Sequence, residues 1–382
     1  MPKGKSLDKR WLGIATLVGS TVGVGVYGIP FTFAKAGTGV GFLFLAILTV
    51  LFVTVNLMYG EVVLRTHNRH QFIGYIRKYL GGLAYKAGLF VFWAGTLGTI
   101  ICILIVTGDF LSQIFSFTNI SVSPVVCGSI FFFIALIVVM KGLKMVSHVD
   151  LFIMFLLVFI MGLIVVTGVW RVKPENYITH TGMFWFLPFG VMLFALDGIL
   201  GIPLVREVMT GSEHMLRRVL VIGTIIPAVL YLAFSLVVVG ISGENTSPTA
   251  IASLGGILGG KIVLFGALFG FLSSSILFIS IATALREALY QDFGFKKKWH
   301  YLAFIILPYV LFLTGARNFI DMLDLIGGVG GSLALILLML VYHKAKNYGD
   351  REPEYNLGIP GWLSYIVVGA LAAGAIYTLV AL

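Results

Sequence analysis

Eleven apolar stretches divide this chain and constrain its fold more than any other feature. They lie near 11–36, 39–64, 84–111, 124–140, 149–170, 183–209, 216–241, 262–290, 299–314, 318–342 and 360–382, bounded by charge, Gly, Pro or Asn. A spanning helix needs about 20 mostly apolar residues. In hydrocarbon every backbone polar group must be satisfied within the structure, which leaves only helices or closed barrels. The stretches lack the polar alternation of a barrel strand, so the chain is expected to be an all-α polytopic membrane protein with 11 transmembrane helices. Composition agrees, with 59% hydrophobic residues, 11% charged and a mean hydropathy of +1.03, against about 25% charged in soluble domains. A cytosolic enzyme, a nucleic-acid-binding module and a secreted protein are thereby excluded. Cys102 and Cys127 sit inside apolar stretches with no ligand-spaced Cys or His and read as small buried hydrophobes.

The formal charge of +10 is a topology signal. With a cytoplasmic N-terminus, the tail, the segments 65–86, 141–148, 206–218 and 286–298, and the stretch 343–359 share one side and hold 21 of the 26 Lys and Arg. The other side holds 5, namely Lys35, Arg171, Lys173, Lys261 and Arg317. The positive-inside rule then places the N-terminus in the cytoplasm and the C-terminus outside. The basic side faces anionic membrane lipids, so no nucleic-acid partner is required. The first stretch, running from Lys9 and Arg10 to Ala34-Lys35-Ala36, has the outline of a cleaved signal. It is read as a retained span because an internal repeat ties it to the rest of the fold.

That repeat begins with Gly28-Ile29-Pro30 in span 1, which recurs as Gly201-Ile202-Pro203 in span 6, 173 residues later, with Gly25 falling on Gly198. The same offset carries spans 2 to 5 onto spans 7 to 10. The expected organisation is a tail (1–10), a first five-helix repeat (11–172), a second (183–342), a loop (343–359) and an eleventh helix (360–382). Because five is odd, the second unit enters from the opposite face. Inverted repeats of this kind break the first helix of each unit near the midplane. Span 1 has the breakers Gly19, Gly23, Gly25, Gly28 and Pro30, and span 6 has Pro188, Gly190, Gly198, Gly201 and Pro203.

The stretch GSTVGVGVYGIP resembles the broken first helix of the amino acid/polyamine/organocation (APC) transporter superfamily. Phe194-Ala195-Leu196-Asp197-Gly198, followed by Ile202-Pro203 and Glu207-Val208-Met209, is similar to the sixth helix of its amino acid/auxin permease (AAAP) branch. The resemblance implies a LeuT-type fold and cation-coupled transport of an amino acid by alternating access.

Glycines at a helix start expose backbone N–H groups where the dipole favours an anion. The amides of Gly23, Val24 and Gly25 are therefore expected to hold a substrate α-carboxylate, with Gly25 leaving room for it. The spacing Gly23-x-Gly25-x-x-Gly28 also spells a dinucleotide fingerprint, but the preceding strand that motif needs is missing. Asp197, alone at the centre of span 6, reads equally as an N-cap for the second half-helix and as the partner of a substrate ammonium or a cation. Tyr27, Trp93, Phe194 and Phe271 are expected to line the side-chain pocket.

In sodium-coupled members of the resembled superfamily, paired hydroxyls on the eighth helix join carbonyls from the first break. Here these correspond to Ser274 and Ser275 with Gly19 and Val22, hard oxygen ligands suited to Na+. Some proton-coupled relatives place a Lys on the fifth helix, and span 5 has none. Glu61, Glu207, Arg286 and Glu287 are placed near cytoplasmic ends, and Asp109, Asp321 and Asp324 near external ends, where water is available. The expected function is secondary transport of a neutral amino acid coupled to Na+. A proton-coupled permease and a non-transporting amino acid sensor of the same fold stay open as alternatives.

Overall fold

The computed structural model describes residues 9–140, 147–178, 184–291 and 298–381. The α-helices in chain order are α1 (Lys9–Thr21), α2 (Ile29–Ala36), α3 (Thr38–Arg65), α4 (Phe72–Tyr79), α5 (Gly82–Ser116), α6 (Pro124–Met140), α7 (Ser147–Gly168) and α8 (Leu187–Ala195). They continue with α9 (Ile202–Val208), α10 (Leu216–Ser242), α11 (Gly255–Leu258), α12 (Gly260–Gln291), α13 (Lys298–Thr314), α14 (Phe319–Leu325), α15 (Ser332–Tyr348) and α16 (Gly361–Ala381).

Among the described residues, six helices are long and apolar enough to cross a membrane: Thr38–Arg65, Gly82–Ser116, Leu187–Val208, Glu213–Asn245, Phe319–Tyr348 and Gly361–Ala381. The pair Lys9–Thr21 and Val24–Ala36, bent by 61°, makes a seventh. Four more apolar helices, Pro124–Met140, Val158–Arg171, Val263–Ile279 and Phe304–Thr314, fall short of that length. Length and apolarity alone therefore give fewer spans than the expected eleven.

The bundle is apolar outside and carries its polar groups within. Phe42, Leu43, Ile47 and Val50 of α3 and Phe133, Ile134 and Ile137 of α6 are exposed, whereas Asn56, Thr107, Thr224, Ser235 and Ser274 are buried. Lipid tails supply no hydrophobic drive between helices, so close packing and internal hydrogen bonds hold the helices together. One such bond runs from Asn56 Nδ2 to Thr224 Oγ1 at 2.9 Å and ties α3 to α10. Gly37 ends α2 with φ 97°, a left-handed turn that lets α3 start at once.

Glu61 departs from its expected hydrated position, because its side chain is fully buried. Its Oε1 accepts from Arg65 Nε at 2.9 Å and its Oε2 from the Leu357 amide at 2.9 Å. Tyr355 donates to the Leu57 carbonyl at 2.7 Å, so the segment between α15 and α16 is pinned along α3. At the same end Asp350 accepts from Lys78 and from the His67 amide, and these partners hold its carboxyl below the usual range. Arg69 pairs with Glu207 at 2.7 Å, and Lys9 donates to the Thr210 carbonyl at 2.7 Å. Arg286 and Glu287 lie outside the described side chains. Asp324 is also more enclosed than expected at 9% exposure, set against Gly190 of α8.

Candidate functional site

Both expected breaks are present and share one construction. In the first, α1 stops at Thr21, a 3-10 turn spans Val24–Tyr27, and α2 opens with Pro30 in its first two positions. In the second, α8 stops at Ala195, a 3-10 turn spans Ile199–Gly201, and α9 opens with Pro203 in its first two positions. Proline suits that position because its fixed φ fits a helix start and its missing N–H would have no partner there. The two breaks cross. A Cβ at Gly198 would strike Thr21 Oγ1, one at Gly201 would strike Ser20 Oγ, and one at Gly25 would lie 2.9 Å from Ala195 Cα.

Across the first break Val22 donates to Val18, Val26 to Gly23 and Gly28 to Gly25, and none of these bonds is donated by Gly23, Val24 or Gly25. Those amides form the free start of the 3-10 turn. In the second break Asp197 Oδ1 accepts from the Ile199 amide at 3.0 Å. This is a local Asx turn at the start of the 3-10 segment, whereas the N-cap of α9 is Gly201 with no side-chain cap bond, so Asp197 does not cap the second half-helix itself. The breaks are clamped by Tyr231 of α10, whose hydroxyl lies 3.2 Å from the Thr21 carbonyl and 3.1 Å from the Ala195 carbonyl. A buried Tyr hydroxyl needs a partner, and here it reaches the end of both first half-helices at once.

A cavity of about 300 Å³ opens beside the crossing, with Gly19, Val22, Gly23, Val24, Gly25, Phe194 and Asp197 among its lining residues. It extends toward the end of the bundle that carries α4. Its lining includes Phe72, the first half of α5 from Val91 to Thr99, Leu277 and Ile281 of α12, and the segment from Ile326 to Ala334. Leu200, 55% exposed, is at its margin. The opposite side is closed, with Tyr27 only 3% exposed and edge-on to Phe110 at 5.0 Å, and with Lys35 Nζ donating to the Glu244 carbonyl at 3.1 Å.

Three of the four expected pocket aromatics lie outside this cavity. Tyr27 belongs to the closed side. Trp93 is one position off, because Phe92, Gly95, Thr96 and Thr99 form the α5 stripe that faces inward, and the indole turns toward Phe304 at 4.9 Å. Phe271 sits one turn beyond Ser274, against Phe131 at 6.0 Å. Phe194 does line the cavity.

Of the expected cation ligands, Gly19 and Val22 face the cavity and the two serines do not line it. Ser274 is fully buried and its hydroxyl has no hydrogen-bond partner. Ser275 donates to the Phe271 carbonyl at 2.6 Å. Helix α12 meets the first broken helix at Gly23, where an added Cβ would touch Leu277 at 3.7 Å.

The sequence reading missed the wall contributed by Ile326–Gly331, a π-helical segment joining α14 to α15. Such segments are frequent at functional sites. Its signal was the run IGGVGG, four glycines in six residues inside an otherwise bulky span. A Cβ at Gly327 would strike the Gly190 carbonyl and meet the Phe194 amide at 2.6 Å, so this wall packs on α8 just before the second break.

Comparison with known proteins gives three findings. A model of the tryptophan/tyrosine permease family matches residues 7–378. The chain is 22% identical over 357 residues to Glutamine transporter 2 of Aliivibrio fischeri, covering 90% of this chain and 91% of that protein. Its fold superposes on the crystal structure of MhsT in complex with L-phenylalanine with a TM-score of 0.68 at 13% identity, covering 97% of this chain and 98% of that one.

Proposed function

Because the chain belongs to the tryptophan/tyrosine permease family, we propose that it is a secondary active transporter moving a neutral amino acid across the membrane by alternating access. The observation that carries this reading is the crossing of two broken helices over one cavity. Free amides at Gly23, Val24 and Gly25 and the Asp197 carboxylate line the same cavity. The first set suits an α-carboxylate and the second an α-ammonium. Val91, Phe92, Phe194, Leu277 and Ile326 leave the remaining surface largely apolar, which suits an uncharged side chain.

The four shorter apolar helices complete the spans to eleven, arranged as two inverted five-helix repeats and one peripheral helix, α16. The matched construction of the two breaks supports this LeuT-type organisation, and the 21 to 5 division of Lys and Arg supports a cytoplasmic N-terminus. With that orientation the cavity lies in the cytoplasmic half, and this conformation is the inward-facing one. Single cysteines at Asn347 and Asn119, in a background without Cys102 and Cys127, should react with an impermeant reagent from opposite sides. Reaction of both from outside would contradict the eleven-span arrangement.

The coupled ion is Na+, held by the carbonyls of Gly19 and Val22 and the hydroxyls of Ser274 and Ser275. The buried, unpartnered Ser274 hydroxyl supports this assignment, because such a group otherwise costs about 1–3 kcal/mol. The deciding experiment is uptake of neutral amino acids into proteoliposomes with and without a Na+ gradient. Ser274→Ala/Ser275→Ala should raise the Na+ needed for half-maximal uptake by about tenfold or more. It should also weaken substrate binding at fixed Na+, since coupling between two ligands is reciprocal. Uptake driven by a pH gradient alone identifies a proton-coupled permease. Ligand binding without uptake identifies a sensor.

A further inference from the structure

Among the described residues the cavity lining contains four hydroxyls, and all four have their protons engaged elsewhere. Ser20 donates to the Thr16 carbonyl at 2.9 Å and Thr21 to the Leu17 carbonyl at 2.9 Å. Thr96 donates to the Phe92 carbonyl at 2.8 Å and Thr99 to the Gly95 carbonyl at 2.8 Å. A hydroxyl has one proton and two lone pairs, so each presents only acceptors to the cavity. Asp197, as a carboxylate, is also an acceptor, and among the described residues these five are the only polar side chains in the lining. The donors available are the backbone amides of the first break.

Position divides these acceptors into two groups. Ser20, Thr21 and Asp197 belong to the breaks, where the backbone of an amino acid would sit. Thr96 and Thr99 stand on α5, outside both breaks, and share the lining with the apolar side chains of Val91, Phe92 and Ile326.

We propose that Thr96 and Thr99 form an acceptor-only subsite that selects amino acids whose uncharged side chain carries an N–H or O–H donor. A donor left without an acceptor in a mostly apolar cavity is penalised, and so is an acceptor left dry by a substrate that lacks the donor. The subsite therefore favours indole, phenol and carboxamide side chains over hydrocarbon or thioether side chains of similar size. A side-chain carboxylate, which brings only acceptors, is rejected. This rests on the amino acid transport reading above and adds the residues that set its selectivity.

The test compares affinities within two pairs that differ in the donor, L-tyrosine with L-phenylalanine and L-glutamine with L-methionine, by competition for uptake and by thermal shift on the purified protein. The expected result is a preference of about fivefold or more for the donor member of the pair that fits the cavity. Thr96→Val and Thr99→Val keep side-chain shape and remove the acceptors, and each should shrink that preference toward one. Affinity for the member without the donor should stay constant or rise. The ratio is unaffected by a general loss of fold, because both members of a pair report on the same protein. Should one valine variant fail to fold, the other still carries the comparison. Binding of both members with equal affinity to the wild type overturns the subsite, as does a preference unchanged in a folded valine variant. Binding of no amino acid at all instead overturns the transport reading.

Discussion

Asp197→Asn lowers uptake by about 10-fold to 100-fold while the protein unfolds at nearly the same temperature as the wild type. The geometry separates the two roles of this side chain. Its Oδ1 accepts from the Ile199 amide at 3.0 Å, and asparagine keeps an oxygen that can accept the same bond, since Asn and Asp cap comparably. What asparagine removes is the negative charge facing the cavity. A hydrogen bond to a charged group contributes about 1.5–3 kcal/mol, and each 1.4 kcal/mol is a factor of about ten in affinity. Thermal unfolding with and without substrate checks the result alongside initial uptake rates. Equal uptake and equal affinity in the variant would reduce Asp197 to its turn.

Two glycines of the first break, Gly23 and Gly25, are expected to fail in opposite ways. A Cβ at Gly23 meets only Leu277, at 3.7 Å, so Gly23→Leu has room to fold and places its side chain across the amides. It should remain monodisperse in detergent and lose about 100-fold or more in substrate affinity. At Gly25 the added Cβ would lie 2.9 Å from both Ala195 Cα and Phe194 Cδ1. Gly25→Ala should therefore lose stability, by the roughly 1–3 kcal/mol typical of overpacking, whether or not substrate is present. Melting curves in the absence of ligand distinguish the two. A Gly23→Leu protein that binds with wild-type affinity would move the carboxylate site away from these amides.

The contrast between these glycines shows where sequence reasoning ran out. Both belong to the same motif, both line the cavity and both were legible as breakers, yet a side chain at Gly23 has open space before it and one at Gly25 runs into Ala195 and Phe194. Spacing along one helix gives the angle at which a residue projects, and the neighbour that fills the space is set by a distant segment. Trp93 illustrates the same limit, because a correct choice of helix and approximate depth still missed the inward stripe by one residue, or 100° of rotation. Ser274 and Ser275 were legible as the deep hydroxyls of their span, but only packing shows that one is satisfied by the preceding turn and the other is not.

The sequence by itself determined that this chain is helical and membrane-embedded, because long apolar runs have few ways to satisfy their backbone in lipid. It also determined where two helices break, because Gly and Pro act through local backbone geometry that needs no partner. The tertiary structure alone decided which faces meet. It buried Glu61 against Arg65 and Leu357, brought Tyr231 to the carbonyls of both breaks, and turned the IGGVGG run into a cavity wall against Phe194. Apart from the local Glu61–Arg65 pair, those contacts join residues tens to hundreds of positions apart, and an apolar helix with no polar face has no periodicity that fixes its rotation in the bundle. Rotation is set by how side chains and small residues of several helices fit together, a property of the whole packing that no single stretch encodes.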